Sequence, residues 1–191
     1  MEAGFKWLSA AVAVQEFCLK RGWPFAFIGG VAVQRWGEPR VTQDVDLTVF
    51  VGFGGEEDPI KTMLAAFPGR IPNGAAFALK YRVLLLQSVE GIPIDVALGA
   101  FPFEELVTRR ATFEEYLPGI RLKVCTAEDL IVFKAFAARS RDWLDVETII
   151  TRQTGRLDWI YIRRQLRPLA ELKEAPELLD QLERQRLEFE Q

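Results

Sequence analysis

Short apolar runs, each bounded by turn-forming residues, mark the predicted strands of this chain. Phe25–Ile28 stops at a pair of glycines and predicts a buried strand, and Val45–Val51 predicts a second one. Tyr81–Val89 and Ile92–Leu98 flank Glu90–Gly91, a pattern typical of a β-hairpin with a two-residue turn. These runs predict a small sheet in the first two thirds of the chain.

Apolar residues recur at helical spacing in most other segments. Helices are predicted at 5–21, Val31–Trp36, Ile60–Phe67, Phe103–Arg110 and Leu130–Ala138, and a further short strand at Ile120–Val124. The sequence Thr126–Asp129 resembles a capping box that introduces the helix after it. Beyond it the pattern stays helical, with breaks predicted near Gly155 and Pro168 and a new start after Pro176.

This order of elements predicts an α/β (α+β) protein. Residues 1–125 are expected to form a small mixed β-sheet packed against helices, and residues 126–191 a C-terminal helical region. A chain of 191 residues, 49% of them hydrophobic, can bury a core without disulfides or structural metals.

Charge adds little at the level of the whole chain, because a net charge of -3 gives no general attraction to nucleic acid or anionic membranes. The stretch 152–173 is nevertheless locally basic. It contains Arg152, Arg156, Arg163, Arg164, Arg167 and Lys173. Such a stretch favours tRNA or another polyanion as a partner, although arginines on helices are commonly a solvated face.

Histidine is absent, which excludes the usual serine and cysteine nucleophile systems and histidine-bound zinc. Cys18 and Cys125 lie among apolar neighbours and are expected to be buried thiols in a reducing compartment. No signal peptide or membrane-spanning run is recognisable, so a cytoplasmic protein without membrane contact is expected.

Three aspartates are the strongest chemical signal. Asp44 and Asp46 are two residues apart at the start of a strand, so their carboxylates point to the same face. Asp95 lies in the apolar return strand of the hairpin, where an unpaired acid is costly. If the two strands are adjacent, the three carboxylates converge and suit Mg²⁺ or Mn²⁺. Taken singly, the pair could be a solvated strand end, and Asp95 could pair with Arg40 or Arg82.

Gly29 and Gly30 stand between the first predicted strand and a helix start. Glycines allow a ligand to approach the backbone closely, and a helix N-terminus offers its N–H groups to phosphate. A plain tight turn would use the same residues, so the glycine pair indicates a phosphate site only in combination with the aspartates.

Three segments in this order resemble the nucleotidyltransferase (polymerase-beta-like) superfamily: Ile28–Ala32, Arg40–Leu47 and Ile94–Val96. The R-x-T-x-D-x-D-L run is most similar to the AbiEii-type and minimal nucleotidyltransferases of toxin–antitoxin systems. A further similarity is to the helical segment of that group, and in this chain it lies at Glu128–Ile131, Lys134, Arg139, Arg141, Asp142 and Asp145. The resemblance spans roughly residues 25 to 148.

The resemblance implies roles for the residues that carry it. Gly29 and Gly30 would cradle a nucleoside triphosphate. Asp44, Asp46 and Asp95 would be the catalytic, metal-binding carboxylates, with Asp95 also helping to activate the attacking hydroxyl. Mg²⁺ or Mn²⁺ would act in a two-metal transfer of a nucleoside monophosphate, with pyrophosphate as leaving group.

Further nucleotide contacts are implied at Arg40, Thr42 and Lys134. Arg40 and Thr42 would support the loop or touch phosphate, and Lys134 would reach the phosphates or the base. Lys134 could equally be an exposed lysine on an amphipathic helix. For Asp142 and Asp145 a salt-bridged face between helices is the favoured interpretation.

The leading hypothesis is therefore an enzyme that acts on an RNA 3′ end, a protein or a small molecule, and that could be one component of a toxin–antitoxin pair. A binding partner of a cognate antitoxin or toxin, with minor catalysis, is the alternative. A metal-dependent phosphohydrolase is a third hypothesis, which the glycine turn and the lack of histidine disfavour.

Overall fold

The computed structural model describes residues 6–190. Phe5, which the predicted first helix includes, lies outside them, as do the outer ends of both predicted domains. The helices are α1 (Lys6–Lys20), α2 (Gly29–Trp36), α3 (Glu57–Leu64), α4 (Gly74–Tyr81), α5 (Pro102–Arg110), α6 (Ala127–Ala137), α7 (Ser140–Arg152), α8 (Trp159–Leu172) and α9 (Glu177–Phe189). The strands are β1 (Phe25–Phe27), β2 (Val45–Phe50), β3 (Val83–Gln87), β4 (Pro93–Gly99), β5 (Thr112–Leu117) and β6 (Ile120–Val124).

The strands form one mixed sheet in the order β3-β4-β2-β1-β6-β5. The pairs β2–β4 and β1–β6 are parallel, and the other neighbours are antiparallel. The prediction of an α/β protein with a small mixed sheet is thereby confirmed. Strands β2 and β4 are adjacent, which is the condition under which the three aspartates can converge.

Burial alternates along most of β2, β3 and β4 and separates a dry face from a half-exposed one. The buried face carries Val45, Leu47, Leu84, Leu86, Ile94 and Val96. Asp46 and Asp95 lie on the opposite face, because successive side chains of a strand point to opposite sides. A slip of one residue would bury both acids, so the apolar residues fix the register that presents them.

The chain divides into two compact units. One comprises residues up to Val31 together with Val41–Cys125, and the other comprises Ala32–Arg40 together with the chain from Thr126. The sheet belongs to the first unit, and α6 to α9 belong to the second. The prediction of domains at 1–125 and 126–191 shares the division after Cys125 but did not separate Ala32–Arg40.

Contacts of the segment Ala32–Arg40 explain why it groups with the C-terminal helices. The carbonyl oxygen of Gly37 accepts a hydrogen bond from Arg152 at 2.6 Å, and that of Trp36 accepts one from Gln153 at 3.1 Å. A Cβ atom on Gly37 would lie 2.8 Å from Thr148 Oγ1, so only glycine allows this close packing.

Helix α4 and strand β5 were missed, and the predicted start of β3 and the predicted hairpin turn were wrong. Helix α4 ends at Tyr81, the residue at which the sequence pattern predicted a strand to begin. Arg82 then adopts a left-handed conformation (φ 55°), so β3 cannot begin before Val83. The predicted two-residue turn is also too short, because the last pair of the hairpin is Gln87 with Pro93.

Pro168 does not break its helix, contrary to the prediction. It lies inside α8, on the exposed side. Burial of Leu166 and Ala170 on the opposite side offsets the lost backbone hydrogen bond, which costs about 3 kcal/mol in a helix interior. Over residues 6–190, no helix combines the length and the apolar character that crossing a membrane requires.

Candidate active site

The aspartates lie close together at the half-exposed face of the sheet. Asp46 of β2 is in direct register with Asp95 of β4, and Asp44 occupies the bend just before β2. Asp44 is exposed, whereas Asp46 and Asp95 are half-buried. The structure therefore brings together the three carboxylates that the sequence singled out.

The glycine turn packs directly against these acids. Gly29 begins α2 with φ +56°, and a Cβ atom built on it would lie 2.1 Å from Asp46 Oδ2. A Cβ atom on Gly30 would lie 2.1 Å from Thr42 Oγ1 and 3.9 Å from Asp44 Oδ1. Any side chain at either position would therefore collide with the site. The N-terminal turn of α2, whose first N–H groups have no acceptor within the helix itself, adjoins the carboxylates.

Thr42 contributes a hydroxyl that nothing satisfies within residues 6–190. Its side chain is 6% exposed, and Oγ1 has no hydrogen-bond partner there. A buried hydroxyl without a partner costs about 1–3 kcal/mol, so such groups commonly mark a place where a ligand or water belongs. The hydroxyl lies beside Gly30 at the start of α2.

Asp95 has a partner that the sequence did not reveal. The guanidinium of Arg70 donates a hydrogen bond to Asp95 Oδ1, so neither predicted partner, Arg40 or Arg82, is correct. Arg82 pairs with Glu56 instead. Burial raises the pKa of Asp95, and the nearby Asp44 raises it further, while Arg70 opposes both effects without cancelling them.

Arg70 lies in the loop between α3 and α4, outside every apolar run in the sequence. Only the backbone contacts of this loop with β3, including a bridge between Gly69 and Leu86, place it near the acids. No local pattern in the sequence could have identified it.

The carboxylates fit a magnesium or manganese ion by their chemistry. Mg²⁺ is usually held by one or two carboxylates together with water and substrate phosphates, rather than by a complete protein cage. Asp44 and Asp46 supply such a pair beside the glycine turn. Within residues 6–190 no group of three or more acid, histidine or cysteine side chains is arranged to hold an ion, and Asp95 is bound by Arg70.

Lys134 and Arg40 belong to the second unit and share one carboxylate there. The ammonium of Lys134 lies 3.0 Å from Asp142 Oδ1 and 2.7 Å from Asp145 Oδ2. Arg40 donates two hydrogen bonds to Asp145, at 3.0 and 3.1 Å. Lys134 is 7% exposed, so the alternative of an exposed lysine is wrong, and the predicted salt-bridged face at Asp142 and Asp145 is confirmed.

The two buried acids are held in their charged form by these cations. Burial alone would raise the pKa of Asp142, but hydrogen bonds from Arg139 and Lys134 outweigh it and hold that pKa below its ordinary value. For Asp145, hydrogen bonds from Arg40 and Lys134 outweigh burial in the same way and lower the pKa. The cluster is thus a set of satisfied ion pairs in the core of the second unit.

The protein is of the nucleotidyltransferase class, as its match to a family model shows. The family model described as nucleotidyl transferase AbiEii toxin, Type IV TA system, matches residues 21–190. Because the match spans most of the chain, the protein belongs to this family of toxin–antitoxin nucleotidyltransferases, as the resemblance indicated. No curated protein matches the chain.

Two solved structures are similar to this chain. An antigenic nucleotidyltransferase-like protein from Paracoccidioides brasiliensis is 17% identical, with a TM-score of 0.53, over 93% of this chain and 92% of that chain. The antibiotic-resistance factor ANT(2'')-Ia, solved in complex with adenylyl-2''-tobramycin, is also 17% identical, with a TM-score of 0.45, over 96% of this chain and 92% of that one.

Proposed function

We propose that this protein transfers a nucleoside monophosphate from a nucleoside triphosphate onto an acceptor hydroxyl, in a reaction that depends on Mg²⁺ or Mn²⁺. The observation that carries the proposal is the direct contact between the glycine turn and the aspartates. A Cβ atom on Gly29 would overlap Asp46, and one on Gly30 would overlap Thr42. In this proposal the phosphate cradle and the pair of metal-binding carboxylates are therefore adjacent.

In this proposal the N-terminal turn of α2 binds the triphosphate. Its N–H groups point out of the helix and suit anionic oxygens, and the missing side chains let phosphate approach the backbone. The Thr42 hydroxyl then donates the hydrogen bond that it lacks within residues 6–190. This role explains why a buried hydroxyl stays unsatisfied beside Gly30.

Asp44 and Asp46 would hold the divalent ion, because they are the carboxylates nearest the glycine turn. A bound ion would neutralise charge on the triphosphate and on the leaving pyrophosphate. Asp95 lies one strand further from the turn, since β4 is on the other side of β2 from β1. That position suits the acceptor side of the reaction.

The transfer itself needs one proton acceptor. The acceptor oxygen forms a bond to the α-phosphorus, the bond from that phosphorus to the bridging oxygen breaks, and pyrophosphate leaves with the electron pair. Asp95 takes the proton from the attacking hydroxyl. The glycine turn and Thr42 hold the phosphates in line during this step.

We further propose an RNA 3′ end as the acceptor. Arg156, Arg164 and Arg167 are exposed, and no carboxylate within residues 6–190 forms an ion pair with them. Trp159 and Tyr161 are buried among the helices, so they pack the core and are not available to stack on bases. The protein would therefore contact RNA through ion pairs between these arginines and the RNA phosphates.

Thermal melting with Mn²⁺ and each of the four nucleoside triphosphates tests the proposed site. We expect one triphosphate to raise the melting temperature only when metal is present. A ligand at a hundred times its Kd stabilises the native state by about 2.7 kcal/mol. The double variant Asp44→Asn/Asp46→Asn should lose this effect and be at least as stable without ligand, because two like charges disappear.

The matched control is Glu57→Gln/Asp58→Asn, which removes two exposed acids from α3 and should keep the ligand effect. If the wild type shows no shift with any triphosphate, the binding-partner alternative is favoured. If Asp44→Asn/Asp46→Asn unfolds, the aspartates have a structural role and the proposal fails.

A further inference from the structure

Arg70 is fixed by its backbone at the outer edge of the sheet. Its N–H donates a hydrogen bond to the Leu85 carbonyl at 3.0 Å. Two residues earlier, the Pro68 carbonyl accepts a hydrogen bond from Gln87 at 2.9 Å. The loop is therefore hydrogen-bonded to β3 at Pro68 and at Arg70, which holds the backbone of Arg70 in place.

From this anchor the side chain reaches the candidate site. Leu85 of β3 is in register with Asp95 of β4, which is in register with Asp46 of β2. Arg70 thus crosses one strand to contact the carboxylate at the middle of the row. The side chains of Arg70 and Asp95 are 28% and 32% exposed, so the pair is neither fully buried nor fully solvated.

The guanidinium of Arg70 places positive charge against the carboxylates, as a divalent ion would. Three carboxylates lie close together, and like charges at this spacing repel each other. Arg70 supplies positive charge to Asp95, the member of the set that lies farthest from the glycine turn. As long as Arg70 holds Oδ1, that oxygen is not available as a metal ligand.

We propose that Arg70 competes with the divalent ion for Asp95, holding the carboxylate while no ion is bound and releasing it when one binds. Asp95 joins Asp44 and Asp46 only in the metal-bound state. This inference rests on the proposed metal site. It assigns to Arg70 a positioning role, because the residue acts through Asp95 and not on the reacting atoms.

Direct titration of the full-length protein with Mn²⁺ alone, without nucleotide, tests the competition. Calorimetry or the electron-paramagnetic signal of free Mn²⁺ gives the dissociation constant. Arg70→Gln should bind Mn²⁺ about fivefold more tightly, as expected from losing a partly exposed ion pair. Without metal the variant should melt at a lower temperature, because the carboxylates then repel each other unopposed.

Two comparisons separate this mechanism from a general charge effect. Arg109→Gln removes one positive charge from an exposed pair with Glu105 on α5 and should leave Mn²⁺ affinity unchanged. In an Asp95→Asn background the gain from Arg70→Gln should disappear, since the contested carboxylate is gone. Arg70→Lys, which keeps the charge, should stay near wild type.

Unchanged or weaker Mn²⁺ binding in Arg70→Gln would overturn the competition, and so would an equal gain in the Asp95→Asn background. The proposed metal site is judged separately. If the wild type binds no Mn²⁺, or if Asp44→Asn/Asp46→Asn binds it as well as the wild type, the metal site itself fails and the role of Arg70 fails with it.

Discussion

Lys134 carries a buried positive charge that two carboxylates share. Replacing it with methionine keeps most of the packing volume but leaves Asp142 and Asp145 with only their arginine partners. Breaking a buried pair from one side costs about 3–5 kcal/mol. We therefore expect Lys134→Met to lower the free energy of unfolding by that amount, measured by urea denaturation.

Lys20→Met is the control for this prediction. Lys20 forms an exposed pair with Glu16 one turn earlier on α1, and such pairs contribute less than about 1 kcal/mol. A different result would contradict the prediction for Lys134. If Lys134→Met has unchanged stability but weaker triphosphate binding, Lys134 serves the nucleotide, as the family resemblance implied, and its ion pairs contribute little to stability.

Single residues also show how far the sequence predicts the candidate site. Asp44 and Asp46 could be placed on one face because the period of a strand is two, and Asp95 followed once two adjacent strands were assumed. Gly29 and Gly30 were recognisable from their position between strand and helix. Arg70 was not, because its proximity to Asp95 depends on a loop attached to β3 by backbone hydrogen bonds.

Helix α8 carries two of the three arginines that we assign to RNA, Arg164 and Arg167. Its buried side is apolar, and Arg167 lies on the exposed side. Each arginine that contacts a phosphate adds about one unit to the slope of log affinity against log salt concentration. Arg167→Ala should therefore weaken RNA binding and reduce this slope by about 1, measured by titration with labelled RNA at several salt concentrations.

Arg184→Ala on α9 removes another exposed arginine from the same unit and should leave the slope unchanged. Nucleotide-induced melting shifts should be the same in both variants and in the wild type. If Arg167→Ala and Arg184→Ala reduce the slope equally, RNA binding does not depend on α8 in particular. If neither changes it, the acceptor is not held by this helix.

Elements were predictable where local pattern and tertiary packing agree. Thr126 caps α6 as expected, since it accepts a hydrogen bond from the backbone N–H of Asp129 at 3.3 Å, although the helix begins at Ala127 and not at Leu130. Strand β5 was missed because every residue in it is at least partly exposed, so it lacks an alternation of buried and exposed side chains. Helix α8 continues through Pro168 because its buried side outweighs a local signal to stop.

At the scale of the whole molecule, the division into two units was only partly visible in the sequence. Loss of the strand pattern after Cys125 marked one division. Residues Ala32–Arg40 join the helical unit through Gly37 and through the pair of Arg40 with Asp145, contacts between residues about a hundred positions apart. Pairings at such separations have no local signature.

The buried acids of the second unit give the stability of the protein a defined dependence on pH. The pKa of Asp145 is lowered in the native state relative to its ordinary value near 3.9. A lowered pKa means that the unfolded chain binds the proton first as the pH falls. The stabilisation from Asp145 is therefore complete above about pH 4 and is lost as the pH drops through the native pKa.

Asp145→Asn tests this linkage, because the variant lacks the titrating group but keeps the side-chain size. At pH 7 it should be less stable than the wild type, since Arg40 and Lys134 lose a charged partner. Below about pH 4 the difference should shrink, because the wild type then protonates Asp145 on unfolding. Urea denaturation between pH 3 and 7 measures the difference in the free energy of unfolding between the wild type and Asp145→Asn. The control is Asp180→Asn, which removes an exposed acid from α9. A difference between wild type and Asp145→Asn that stays constant over this range would show that the stabilisation does not come from the charge of Asp145.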